Sequence, residues 1–333
     1  MQTRYVMAAF AVAAVLFLAT SARAALPDTN TLLGQIGLSA DEIAQVQAGK
    51  FVTITLKPAS DRELVTGTAF QLNVAPAALV KELEGGLFTS IDPNTISTGV
   101  ISTPATAADF AKLKLAPDAE KQASAYRDAK PGDELNLSAE EIAAFTKLGK
   151  DATVAAVEEQ IRANLVARVE AYRARGLSGM APYARKDGQR SPAEELRNAS
   201  QASQGLKTYL PALYDLLVTY PQSKPADAKE AFRWTLIDAH GVPTITLSHA
   251  LLAPEGDSWV AIQRQFYVST GYNAEQAIVA FLPVQTATVV AYTNRTSTDQ
   301  VTGFGGGAKR SIGSKMLASQ LQGLFEKLRT AVK

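Results

Sequence analysis

His249 and Arg264 are the residues whose types and surroundings best suit chemistry. Each lies on a face of a predicted strand whose other members are apolar, and Phe266 shares the face of Arg264. An imidazole titrates near pH ~6.5 and suits proton transfer, whereas a guanidinium suits an anionic or carbonyl group. Burying either without a partner is costly. The pattern therefore fits two arrangements: hydrogen-bonded structural residues, or residues that line a pocket and orient a polar headgroup.

The second arrangement leads to a ligand-binding hypothesis. Ligand pockets are mostly apolar and carry a few polar groups that orient the ligand. Neighbouring predicted strands supply aromatic residues with a polar atom, which suit such a lining. The hypothesis comprises His249, Arg264, Phe266, Trp234 and Tyr292.

Composition excludes several other kinds of site. The 333 residues include no cysteine and two histidines, so thiolate chemistry is excluded and a multi-histidine metal centre nearly so. Residues 303–308 fit the dinucleotide pattern G-x-G-x-x-A, but no second parallel strand follows to complete a nucleotide-binding unit. We therefore expect no cofactor, no metal and no catalytic constellation of a known hydrolase. A formal charge of +1 also argues against nucleic acid as a partner.

The N-terminus predicts export. Arg4 precedes an almost purely apolar run over residues 6–19, and Ala22-Arg23-Ala24 supplies the small-x-small pattern of a signal-peptidase site. The run is shorter than the ~20 residues that span a bilayer. The sequence therefore predicts a signal peptide over residues 1–24, cleavage after Ala24, and a periplasmic or secreted protein without a transmembrane span. Transient contact with a membrane stays open.

Three compositional zones follow. Residues 25–103 begin with the capping box Ser39–Glu42, and the sequence then predicts strands over 51–56, 64–74 and 95–101. Residues 104–228 are rich in alanine, lysine and glutamate and predict a helical layer, whose longest helix covers 153–174. Residues 229–333 predict five strands joined by short turns, hence an antiparallel meander. A final helix with one apolar stripe of eight residues should lie across the sheet, and the stripe comprises Ile312, Met316, Leu317, Leu321, Leu324, Phe325, Leu328 and Val332.

Two stretches resemble the START-like (helix-grip, SRPBCC) superfamily. One is the strand 70–74 that leads through Ala75-Pro76 into a helix, and the other is the strand 291–295 followed by a glycine-containing loop and the final helix. The resemblance implies an α+β fold in which a curved antiparallel sheet grips a long C-terminal helix. Residues 25–103 and 229–333 would form that domain, and residues 104–228 would be an inserted helical layer. The family further implies an apolar cavity between sheet and helix.

The favoured function is therefore an exported binding or carrier protein for a lipid or another apolar or amphipathic ligand, held between the sheet and the C-terminal helix. An enzymatic role is less favoured. In that alternative, a cyclase or hydrolase of the same superfamily would use His249 as acid or base and Arg264 as an oxyanion or carboxylate partner. In a third alternative the protein is an envelope interaction module, with residues 104–228 as its docking surface.

Overall fold

A computed structural model describes residues 26–132, 134–239, 241–303 and 305–332, so the predicted signal peptide lies outside the described residues. The α+β class is confirmed: a large open antiparallel sheet carries several helices, among them a long C-terminal one. The strands of the described chain are β1 Val52–Thr53, β2 Glu63–Leu72, β3 Thr95–Val100, β4 Tyr183–Arg185, β5 Gly188–Arg190, β6 Lys229–Asp238, β7 Pro243–Glu255, β8 Ser258–Val268, β9 Ala274–Val284 and β10 Ala287–Ser297.

The helices lie in three groups, one before β3, one between β3 and β6, and one after β10. They are α1 Thr29–Gln35, α2 Ala40–Gln47, α3 Pro76–Glu84, α4 Leu87–Ile91, α5 Ala119–Arg127, α6 Ala139–Leu148, α7 Val154–Arg175, α8 Pro192–Ala202, α9 Gln204–Tyr209, α10 Pro211–Thr219 and α11 Gly306–Ala331, with short 3₁₀ turns at Ala107–Phe110, Gly176–Gly179 and Asp299–Val301. None of these helices, within the described ranges, has the length and apolar character that crossing a membrane requires.

The predicted meander is confirmed. Eight strands follow the order β1-β2-β10-β9-β8-β7-β6-β3, in which the five strands from β6 to β10 are consecutive neighbours. Every pair is antiparallel. Short turns enforce this arrangement because they can join only adjacent antiparallel strands. The turn between β7 and β8 shows the local cause: Gly256 adopts a φ of 64°, which glycine tolerates without strain.

Local helix signals are also confirmed. The Ser39 Oγ accepts from the Glu42 backbone N–H at 3.3 Å, and a Glu42 carboxylate oxygen accepts from the Ser39 N–H at 2.8 Å. This reciprocal pair starts α2 as the sequence predicts. Strand β1 is shorter than predicted: of residues 51–56 only Val52–Thr53 form the strand, although the Ile54 N–H still donates to the Gly67 carbonyl of β2 at 2.9 Å.

The two faces of the sheet are covered by different helices. We call residues 104–228 the middle segment, and the face that its helices cover the middle-segment face. The largest apolar core lies there, and α1 and α2 cover the β2–β10 end of the same face. The opposite face, here the α11 face, packs against α3, α4 and the second half of α11 around Phe70, Phe281 and Phe325.

The predicted stripe on the last helix is correct only in the second half of α11. Phe325, Leu328 and Val332 are buried in the core of the α11 face. Ile312 and Met316 are wrong as core residues, because they are 60% and 56% exposed. The first half of α11 instead approaches β2 through small residues. A Cβ on Gly313 would lie 2.8 Å from a methyl of Leu64, so that side of the helix faces the sheet and Ile312 faces away.

Candidate functional site

Strand register brings His249 and Arg264 together. The two residues are directly opposite each other on β7 and β8, and Phe232 of β6 is opposite His249 on the other side. Directly opposed residues project to the same face of a sheet. That face is the middle-segment face, where the helices of residues 104–228 close over both side chains.

His249 is held from both ring nitrogens. Its Nδ1 lies 3.1 Å from the Tyr172 hydroxyl, and its Nε2 lies 2.8 Å from Glu230 Oε1. The ring stacks on Phe232 with centroids 4.7 Å apart and an interplanar angle of 2°. With 2% of its surface exposed, the imidazole is sealed within an acid–imidazole–hydroxyl chain.

Burial and neighbouring polar groups determine the charges of the His249 imidazole and the Glu230 carboxylate. Burial lowers the pKa of His249 below its ordinary value, although the Glu230 carboxylate opposes that shift. Burial raises the pKa of Glu230, but contacts with His249, Tyr220 and Lys224 outweigh it and hold that pKa well below its ordinary value. Near neutral pH we therefore assign a neutral imidazole beside a charged carboxylate. Nδ1 then accepts from the Tyr172 O–H, whereas the protonated Nε2 lies 2.8 Å from Glu230 Oε1 without the alignment of a hydrogen bond.

Arg264 is buried, 1% exposed, and is used by the protein itself. Its Nε donates to Gln276 Oε1 at 2.9 Å, and one terminal nitrogen donates to Ser200 Oγ at 2.6 Å. The other donates to the Leu217 carbonyl at 2.5 Å, in the last turn of α10 where free carbonyls collect. The guanidinium thus joins β9, α8 and α10, and no carboxylate is among these three acceptors.

Phe266 and Trp234 complete the packing around this pair. Phe266 stacks on Tyr172 with ring centroids 4.3 Å apart. Trp234 is fully buried, and its Nε1 donates to the Asp109 carbonyl at 2.7 Å. Gly99 of β3 makes room for the indole, since a Cβ there would lie 2.4 Å from Nε1. Each of the two rings therefore has an internal structural partner.

The sequence reasoning missed Tyr172 and Glu230. Tyr172 lies in the predicted helix 153–174, where the spacing of apolar residues indicates packing and says nothing about the hydroxyl. Glu230 lies two residues before Phe232 on the same face of β6, so alternation along that strand was the available signal. Of the three residues Glu230, His249 and Tyr172, Glu230 lies nearest the solvent, with 20% of its side chain exposed. Lys224 lies 3.2 Å from its carboxylate.

Tyr292 lies on the opposite face. It is three residues from Arg295 on the regular strand β10, and Arg295 pairs with Gln276, the neighbour of Arg264. An odd separation along a strand reverses the face. The structure thus separates Tyr292 from the other four residues of the ligand-binding hypothesis.

Beside Tyr292 lies a cavity of ≈ 60 Å³ between α11 and strands β1, β2 and β10. Its walls combine apolar groups with hydroxyl and amide groups. They are formed by Phe51, Thr53, Thr66, Gly67, Thr68, Tyr292, Ala318, Leu321 and Gln322. This lining has the amphipathic character that a ligand with an apolar body and a polar end requires.

A row of polar side chains runs from this cavity along the α11 face. Asn294 Nδ2 donates to the Tyr292 hydroxyl at 3.1 Å, and Thr296 Oγ1 donates to Asn294 Oδ1 at 2.8 Å. Glu275 accepts from Gln265 Nε2 at 3.1 Å. Burial raises the pKa of the Glu275 carboxyl, although hydrogen bonds from Asn294 and Thr296 oppose the shift. The row connects the cavity with the Glu275 carboxyl, whose pKa is raised by burial.

Comparisons with protein-family models, curated proteins and solved structures found no match to the chain. The START-like resemblance therefore stays a prediction. Among the described residues, no group of three or more histidine, aspartate or glutamate side chains is placed to share a metal ion.

Proposed function

We propose that the protein binds an apolar or amphipathic ligand between α11 and the sheet, as an exported carrier or binding protein. The observation that carries the proposal is the cavity beside Tyr292. Phe51 and Leu321 contribute apolar walls, and Thr66 and Thr68 contribute hydroxyls on the strand side. An acyl chain or a ring system would lie against the apolar walls, with its polar end towards the strand hydroxyls.

The volume of ≈ 60 Å³ constrains how a ligand would be held. Pockets for drug-sized ligands measure ~300–1,000 Å³, so a lipid chain requires the cavity to widen. The two halves of α11 differ in how they are attached. Phe325 and Leu328 anchor the second half in the core, whereas the first half approaches β2 through Gly313 and a 3.2 Å hydrogen bond from Val65 N–H to Ser314 Oγ. In the proposal the middle of α11, around Ala318 and Leu321 where the two halves meet, moves outward to admit the ligand.

The polar row supplies headgroup recognition in this proposal. Asn294 donates to the Tyr292 hydroxyl oxygen, which leaves the Tyr292 O–H able to donate to a carbonyl, phosphate or hydroxyl of the ligand. A buried hydrogen bond of this kind orients the ligand and contributes a net ~0.5–1.5 kcal/mol to binding, because the ligand gives up a bond to water.

The enzymatic alternative has one supporting observation, the chain Glu230–His249–Tyr172. Two features place it second. The imidazole is sealed from solvent, and the Tyr172 hydroxyl that contacts it is also buried, which raises the pKa of that hydroxyl. A reaction there would require the middle segment to open. It would show as bond-making or hydrolytic activity that is lost in His249→Gln while the melting temperature is kept.

The proposal is tested by extracting the protein, purified from its native envelope, with organic solvent and identifying the extract by mass spectrometry. Ala318→Phe places a ring in the cavity, and Ala331→Phe makes the same change at an exposed position of α11. We expect co-purifying lipid with the wild type and with Ala331→Phe, and little with Ala318→Phe.

If Ala318→Phe does not fold, Tyr292→Phe removes the hydroxyl at nearly constant shape, and its lipid content should fall as well. A protein free of extractable apolar compounds, or equal lipid content in all variants, contradicts the proposal. Export has a separate test: the intact mass from the periplasmic fraction should correspond to a chain that begins at Ala25. Retention of Met1 in the membrane fraction would contradict it.

A further inference from the structure

The outward side of α11 carries an apolar pair. Ile312 and Met316 are four residues apart, so their side chains are neighbours on the helix surface. Both are more than half exposed. Ala308 and Ser319, which are also exposed, lie on the same side of the helix. Exposed aliphatic side chains that adjoin one another indicate a contact surface better than isolated ones do.

The same side of α11 is basic. The helix contains five basic residues and one acidic residue. Two of the basic groups contact the protein: Arg310 donates to the Asp61 carbonyl at 2.8 Å, and Arg329 lies 3.4 Å from Glu326. Lys309, Lys315 and Lys327 are exposed. On a helix with 3.6 residues per turn, Lys309 lies within one turn of Ile312, and Lys315 within one turn of both apolar residues.

This concentration of charge contrasts with the rest of the molecule. The chain without residues 1–24 has a formal charge of −1, whereas α11 alone has +4. A basic helix with an exposed apolar pair complements a surface that is both negatively charged and apolar beneath. An anionic bilayer has that combination, with phosphates outside and acyl chains a few ångströms deeper.

We propose that the first half of α11 docks on an anionic lipid bilayer, with Ile312 and Met316 inserted at the headgroup boundary and Lys309 and Lys315 beside lipid phosphates. The inference does not require the cavity to bind lipid, although the two sites lie on opposite sides of the same helix. Docking would bring α11, which forms one wall of the cavity, to the membrane surface.

The test is co-sedimentation of the full chain with vesicles made of equal parts phosphatidylglycerol and phosphatidylcholine, compared with vesicles of phosphatidylcholine alone. Binding should be found with the first and fall steeply with added salt, because surface charges are screened. Lys309→Gln and Lys315→Gln should each weaken vesicle binding roughly five-fold. This factor corresponds to the loss of about 1 kcal/mol of binding free energy for each basic residue removed from an anionic surface. The double variant Ile312→Ser, Met316→Ser should weaken it further.

Two controls are matched to these changes. Lys147→Gln removes an exposed lysine on α6, and Val242→Ser removes an exposed aliphatic side chain at the β6–β7 turn. Neither should change vesicle binding, and thermal melting should show that every variant is folded.

Binding that is equal on both vesicle types, or unaffected by the α11 variants, overturns the inference. So does a dimer that Ile312→Ser dissociates, because a second copy would then cover the pair. The outcome is independent of the proposed function. Ala318→Phe should keep vesicle binding while it loses co-purified lipid, and failed sedimentation would leave the extraction result unchanged.

Discussion

The two faces of the sheet use polar residues differently. On the middle-segment face, the buried guanidinium groups meet protein partners: Arg264 reaches three acceptors, and Arg168 pairs with Glu141. On the α11 face, the polar row from Glu275 to Tyr292 ends at a cavity. A polar residue on an apolar strand is thus an ambiguous signal, because the helices packed against it decide whether it is a structural clamp or part of a binding surface.

Among the substitutions that test this difference between the two faces, Arg168→Met on the middle-segment face should have the largest effect on stability. Arg168 donates to both carboxylate oxygens of Glu141, and both side chains are buried. Removing the guanidinium leaves the buried Glu141 carboxylate without a counter-charge and with one remaining bond, from the Ser138 N–H. We therefore expect the free energy of unfolding to fall by about 3–5 kcal/mol. Urea denaturation measures it.

Arg162→Met is the matched control on the same helix. Its partner Glu158 keeps bonds from Lys114 and from the Leu115 N–H, so the loss should stay below about 1 kcal/mol. Equal losses for the two variants would show that the partner left behind does not determine the effect.

Arg264→Met should have the next largest effect. It leaves the Leu217 carbonyl and Gln276 Oε1 with fewer donors, although Ser200 Oγ still donates to Gln276. Because unsatisfied buried acceptors cost ~1–3 kcal/mol, we expect a net loss of about 2–3 kcal/mol. Lipid content per folded molecule should stay at the wild-type value. A variant that melts normally but lacks lipid would place Arg264 in a ligand site.

His249 on the middle-segment face and Glu275 on the α11 face should contribute to the pH dependence of stability in opposite directions. Burial lowers the pKa of His249, so below the unfolded value of 6.5 the unfolded chain binds the proton first. The contribution of His249 to the free energy of unfolding should therefore decline as pH falls below 6.5, by at most about 1.4 kcal/mol per pH unit. His249→Gln should flatten that decline.

The contribution of Glu275 to the free energy of unfolding changes with pH in the opposite direction to that of His249. Its pKa is raised by burial, so the folded protein keeps the proton above the unfolded value of 4.5. The stabilisation is complete below pH 4.5 and is lost as pH rises through the folded pKa. Denaturation between pH 4 and 7 should show a smaller loss on raising pH for Glu275→Gln than for the wild type. If the contributions of His249 and Glu275 to the free energy of unfolding changed with pH in the same direction, the predicted difference between them would be wrong.

The smallest effect on stability should come from Tyr292→Phe. It removes one hydrogen bond, from Asn294, at nearly constant volume, so the expected loss is ~0.5–1.5 kcal/mol. The comparison becomes sharper if this variant loses its lipid while Arg264→Met keeps it. If Tyr292→Phe unfolds at 25 °C, the residue is instead a structural anchor like those of the other face.

Local physics accounts for the parts that sequence predicted well. Ser39 and Glu42 start α2 through contacts three residues apart. Alternation with period two and short turns define the strands from β6 to β10. The candidate site was predicted less completely. His249 and Arg264 were each predicted on an apolar strand face, and the strand register brings them opposite each other. Tyr172 and Glu230 lie 77 and 19 residues before His249 along the chain, and residue spacing contains no information about such contacts.

The sequence by itself determined the antiparallel order of the last five strands, the position of the two longest helices, α7 and α11, and the absence of cysteine chemistry, because each depends on composition or on neighbours along the chain. Only the tertiary structure decided which helical layer covers which face. An apolar stripe on a helix can pack on any apolar sheet face. Which side of the helix packs depends on how closely the helix backbone can approach the strands. Gly313 lets α11 approach β2 on its small-residue side, and the same contact leaves Ile312 and Met316 in solvent.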